Sequence, residues 1–218
     1  MTSLFEEAMG TDFGRLHPML QRRFGVGLES GYACIGTGVM TSIRRGPWWT
    51  LPFLHLGKMR NILIADAGEN VPFVIKNYPY LDPFGRETIT FVREYSIGQK
   101  PSRFDATMVM HDGALIDYLG THQHLAVDLS LNATEEGSLL LTTHGQRFYE
   151  GRMGFRFPLV FSGEATLQES YDDEAKTFRV ALEVRNRVFG YEGQFQCEFV
   201  PATDAPTDLK PVRHESCT

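Results

Sequence analysis

The densest run of side chains able to move protons or hold a ligand lies between Asp117 and Asp128. If residues 122–128 are extended, alternate side chains share a face. His122, His124 and Asp128 then project together with Ala126, while Leu125, Val127 and Leu129 face the other way. Histidine titrates near neutral pH, so this pair suits general acid–base work. An H-x-H pair on a strand also sets two imidazoles side by side as metal ligands. No third ligand stands at a recognisable spacing, so no metal or other cofactor is assigned. A solvated, hydrogen-bonded polar face is the remaining alternative. Within the acid–base reading, His124 or His122 transfers the proton and Asp117 or Asp105 orients it. Arg147 or Tyr149, on one face of an extended segment, holds an oxyanion, or else the pair stacks at a strand end.

Two arginines extend the candidate set. Arg93 shares a face with Ile89, Phe91 and Tyr95. If that face is internal, its charge must be paired, for instance with Glu169 between Leu167 and Tyr171, or must bind an anion. Arg103 opens a strand with Asp105 two residues on, which reads as an ion pair or as a cavity-lining carboxylate. Arg103 and Tyr118 complete the ligand-binding candidates. Gly36-Thr37-Gly38 belongs to no dinucleotide fingerprint, and no nucleophile elbow or phosphate loop is present.

These residues need a scaffold, and composition limits what it can be. The 218 residues are 42% hydrophobic and 22% charged, an ordinary balance for one folded domain. A net charge of -6 with scattered Lys and Arg argues against nucleic acid. No apolar run approaches the ~20 residues of a membrane helix. Cys34, Cys197 and Cys217 are widely separated and show no CxxC spacing. With Glu6 and Glu7 where a basic leader would stand, they point to reduced thiols in a cytoplasmic setting.

Ser3-Leu4-Phe5-Glu6 fits a capping box for a short helix ending at Gly10. A second helix is signalled by Pro18, Gly25 and the apolar spacing of Leu16, Met19, Leu20 and Phe24. From about residue 31 the period becomes two. Strands are expected near 33–39, 72–77, 86–95, 103–111, 114–119, 122–130, 138–144, 164–172, 177–185 and 189–199. Residues 46–60 read as a loop with one helical turn. Gly36 and Gly38 inside a strand suggest a bulge, a bend or close approach of another group. A meander of nine or ten antiparallel strands accumulates twist and must curl into a barrel, a half-barrel or two packed sheets. The chain is therefore expected to be mainly β: one domain over 1–200 with short N-terminal helices, then a loose tail over 201–218.

Several motifs occur in order: Met9-Gly10-Thr11-Asp12-Phe13, Leu16-His17-Pro18, Arg103-Phe104-Asp105-Ala106-Thr107-Met108 and Asp117-Tyr118-Leu119-Gly120-Thr121-His122-Gln123-His124-Leu125. After them come Gln146-Arg147-Phe148-Tyr149-Glu150-Gly151, Gly154-Phe155-Arg156-Phe157-Pro158-Leu159 and Phe189-Gly190-Tyr191-Glu192-Gly193. Together they resemble the domain-of-unknown-function family 4166 over about residues 4–199. The resemblance implies a module that works beside small-molecule or lipid metabolism, and it supplies no assigned reaction.

The expectation is thus a barrel-like module enclosing a hydrophobic small molecule, able to perform cofactor-free cyclisation, isomerisation or dehydration. The alternative is non-catalytic: a carrier, or an accessory domain that docks on a partner enzyme or membrane protein through the aromatic segment Trp48 to His55.

Overall fold

The computed structural model describes residues 2–48, 51–98, 100–150, 153–156, 164–185 and 189–202. The capping box forms. Ser3 Oγ accepts the Glu6 backbone N–H at 3.2 Å and starts α1 (Leu4–Met9), and Gly10 ends it at φ 54°. A 3-10 helix (Gly10–Arg15) leads to α2 (Pro18–Phe24), where His17 Nδ1 accepts the Met19 N–H at 3.2 Å. Phe5, Phe13, Leu16, Leu20 and Phe24 of this segment are buried.

The strands are β1 (Tyr32–Arg45), β2 (Gly68–Leu81), β3 (Glu87–Ile97), β4 (Lys100–His111), β5 (Ala114–Leu119) and β6 (Leu125–Ala133). They continue with β7 (Leu139–Glu150), β8 (Met153–Arg156), β9 (Ala165–Asp172), β10 (Thr177–Val184) and β11 (Phe189–Pro201). Ten of them close an antiparallel barrel in the order β6-β5-β4-β3-β2-β1-β11-β10-β9-β7, with β7 returning to β6. Closure leaves no free sheet edge in the ring. β8 is an eleventh strand, paired to the last turn of β7.

The meander fixes what lies at each end. The starts of β1 and β3 and the ends of β4, β9 and β11 share one end, and the N-terminal helices plug it. The other end carries α3 (Leu51–Met59) and the chain to Asp66, both inserted between β1 and β2. Inward positions alternate along each strand: Phe73 and Ile75 on β2, Phe91, Arg93 and Tyr95 on β3, and Phe178 and Val180 on β10. Close approach explains Gly36 and Gly38. A Cβ on Gly36 would lie 2.8 Å from the Phe195 ring, and one on Gly38 would lie 2.1 Å from the Gln194 carbonyl oxygen.

Three expectations about the elements change. Residues 51–59 form a nine-residue helix, not a loop, because Pro52 falls in a first turn where its missing N–H costs nothing. β6 begins at Leu125, since Gly120 (φ 88°) and Gln123 (φ 55°) turn the chain before it. β7 runs on to Glu150 and pairs with β8, which the periodicity did not indicate. Trp49, Cys217 and the tail from residue 203 lie outside the described residues. No helix is long and apolar enough to cross a membrane among the described residues.

Candidate functional site

The barrel interior is apolar at its wall but carries, among the described residues, two arginines, Arg23 and Arg93, and two carboxyls, Glu169 and Asp117. Arg23, on α2, lies three residues beyond Leu20 on the buried face of its helix, so its guanidinium enters the barrel. There it pairs with Glu169 of β9, donates to Asn77 Oδ1 at 2.8 Å, and lies 3.3 Å from Cys34 Sγ and 3.6 Å from Cys197 Sγ. Burial pushes the Glu169 carboxyl up and Arg23 pulls it back down. Burial also works against the Arg23 charge, yet Glu169 and the two thiols hold its pKa above the ordinary value. Cys34 is lowered to about 7, chiefly by hydrogen bonding with Cys197, whose own thiol is raised by that contact and by burial.

Arg93 and Asp117 are the second pair of opposite charges, and they do not join. Arg93 is 8% exposed and lies over the rings of Phe104 and Phe91, at 4.7 and 5.4 Å. Its Nη1 is buried without a hydrogen-bond partner. Asp117 is 8% exposed and its Oδ1 likewise has none. Burial raises the Asp117 carboxyl to about 7, while Arg93 and a backbone hydrogen bond at Thr107 pull the other way. Beside Arg93 on the same face, the fully buried Tyr95 hydroxyl is set against that of Tyr191, and burial, then Tyr191, lifts its pKa well above the ordinary value. Arg23, Glu169, Arg93, Tyr95 and Tyr191 line one cavity of about 30 Å³, room for about two waters.

The other sequence candidates sit elsewhere. Asp128 and Ala126 face outward, and Arg147 Nη1 and Nη2 donate to the two Asp128 carboxylate oxygens at 2.8 and 2.6 Å. Arg147 is therefore held by a carboxylate on the outer wall. His122 and His124 lie in the turn before β6, not on its face. His122 is exposed, and His124 Nδ1 lies 2.8 Å from the Tyr149 carbonyl oxygen, with its ring stacked on Phe148. Tyr149 packs against a second, outer cluster of Val109, Ile116, Tyr118 and Ala126. Tyr118 is thus a wall residue with 0% exposure.

Asp105 is fully buried on the same outer wall, because Phe104 and Ala106 of its strand face inward. It accepts from Arg103 Nε at 2.7 Å and from the Thr121 hydroxyl, and Asn61 Nδ2 donates to Thr121 Oγ1 at 2.8 Å. Together they fasten the segment after α3 to the β5–β6 turn. Asp117 thus enters the barrel, while the histidines stay at its rim. The pairing of Arg93 with Glu169 that the sequence allowed does not form, since Arg23 holds that carboxylate. Among the described residues no three His, Cys, Asp or Glu side chains converge as a metal site would require.

The profile of the family described as domain of unknown function (DUF4166) matches residues 16–199, most of the chain and all but the first of the motifs above. The chain belongs to the DUF4166 family. It is also similar to an uncharacterized protein, YndH, of Bacillus subtilis (strain 168). The two are 27% identical over 204 residues, covering 91% of this chain and 98% of that protein. No solved structure matches significantly.

Several of the quoted motifs of this DUF4166 domain meet at the α3 end of the barrel. Residues 103–108 open β4, 117–125 close β5 and turn into β6, 146–150 end β7, and 189–193 open β11. That end holds the Asp105 fastening outside and Asp117 and Tyr191 inside. Reading the sequence missed Arg23 as a member of the site. Its signal was present in the spacing of Leu20 and Arg23 along one helical face. The Cys34–Cys197 contact gave no such signal, because their proximity depends on β1 pairing with β11 across the closed barrel.

Proposed function

We propose that this barrel binds a small, largely apolar molecule in its interior. One observation carries the reading: Arg93 Nη1 and Asp117 Oδ1 are buried without hydrogen-bond partners inside an aromatic wall. An unpaired buried polar group costs about 1–3 kcal/mol, and more when charged, so two such groups on the interior face are expensive as pure scaffold. Binding sites characteristically combine an apolar lining with a few placed polar groups. The present space has room for only about two waters, so a ligand enters by repacking Met40 and Met108, whose side chains adapt readily. If the ligand is also turned over without a cofactor, by isomerisation or cyclisation, Asp117 is placed to move the proton. With a pKa near 7 it can both give and take one. His122 and His124, at the rim, are then outside the reaction.

The test is native mass spectrometry of the purified protein, with extraction of small molecules and uptake of an apolar fluorescent probe. A bound apolar metabolite, or probe uptake lost when Phe91 is replaced by Trp to fill the interior, supports the reading. A protein that carries nothing and takes up no probe overturns it.

A second reading, an accessory domain that docks a partner, is favoured by the exposure of Trp48 (81%), Leu56 (51%) and Met59 (82%) around α3. A purified protein with an empty barrel that self-associates or co-sediments through this patch would favour docking over enclosure.

A further inference from the structure

Taking interior binding as given, the charges inside the barrel narrow the ligand's chemistry. Arg23 is committed: Glu169 neutralises it and Asn77 takes a further N–H. Arg93 is not. It rests on the Phe104 and Phe91 rings, and its Nη1 points into buried space with no acceptor. Tyr95, two residues along the same inward face, is a second buried donor, its hydroxyl set against that of Tyr191. Among the described residues Asp117 is the one interior carboxyl left to balance Arg93, yet it stands apart with Oδ1 unpartnered. With Asp117 protonated, the interior holds two guanidinium charges against the single carboxylate of Glu169.

We propose that Arg93 and Tyr95 form the head-group site for a carboxylate, and that the ligand is an apolar monocarboxylic acid, not a neutral molecule. A planar guanidinium edge matches a carboxylate in a two-bond fork, and a charge-assisted bond is about twice as strong as a neutral one. The surplus is one positive charge, so a monoanion balances it, whereas a phosphate dianion would leave a negative charge buried. Space for two waters beside Arg93 is also space for two carboxylate oxygens. Phe73, Phe91 and Phe195 then surround the hydrocarbon.

The probes are octanoate and octan-1-ol, equal in chain length and differing in charge, titrated calorimetrically into the full chain. The wild-type protein should bind octanoate at least tenfold more tightly than octanol. Arg93→Met keeps the apolar volume and removes a buried unpaired charge. It should abolish that preference while retaining octanol, and Arg93→Lys should recover part of it. Equal affinity for the two probes in the wild type overturns the carboxylate site but leaves interior binding standing. Binding of neither probe removes interior binding itself. If Arg93→Met does not fold, the wild-type comparison decides alone, and octanoate preference unchanged in a folded Arg93→Met variant overturns the assignment.

Discussion

Glu169→Gln is expected to destabilise the barrel by about 3–5 kcal/mol, because it strands the Arg23 guanidinium in the interior without a counter-charge. Arginine cannot shed its proton to escape, so the full penalty remains at every accessible pH. The reverse variant behaves differently. In Arg23→Met the stranded group is a carboxyl already pushed upward by burial, and it avoids the penalty by taking up a proton. Its folded pKa then lies above its unfolded value, so stability is highest in acid and declines through the range between the two, by about 1.4 kcal/mol per pH unit. Urea unfolding at pH 5 and pH 8 separates the two cases. Glu169→Gln should lose stability at both, and Arg23→Met markedly more at pH 8 than at pH 5. The double variant Arg23→Met, Glu169→Leu should recover most of the loss, since apolar replacements of a buried pair are often neutral or better. Equal, pH-independent losses for both single variants would mean that water reaches the pair.

This contrast also marks what a sequence can and cannot disclose. Alternation of period two gave the strands, and the twist of so many antiparallel strands gave the curl, because both follow from local geometry. That Arg93 shares a face with Ile89, Phe91 and Tyr95 followed as well, but that this face is the internal one did not. The partner of Glu169 did not follow. Arg23 lies 146 residues away on a helix that plugs one barrel end, and only closure of the ring brings the two together. His122 and His124 show the opposite error. Their spacing fits a strand face, but positive φ at Gly120 and Gln123 places them in a turn, where His124 Nδ1 meets the Tyr149 carbonyl. Local polar density marked the rim, and non-local pairing made the interior.

Asp117→Asn is expected to stabilise the protein in neutral and alkaline solution, by up to about 4 kcal/mol at pH 8, and to change little near pH 4. The Asp117 carboxyl rises from 3.8 unfolded to about 7 folded, because burial costs the ionised form more than Arg93 returns. Below about pH 4 both states hold the proton and no penalty exists. Between 4 and 7 the unfolded chain has released a proton that the folded chain retains. Stability therefore falls as pH rises, by about 1.4 kcal/mol per unit over roughly three units, and then levels off. Asparagine carries no such proton, so the variant's stability lacks this decline. For a chain of this length the gain at pH 8 corresponds to a rise in Tm on the order of 10 °C. Thermal unfolding of both proteins from pH 4 to 8 measures the difference, in which titrations common to both cancel. Curves that stay parallel would place the Asp117 charge in water or against Arg93, removing the unpaired carboxyl on which both its proton-transfer role and the surplus charge at Arg93 depend.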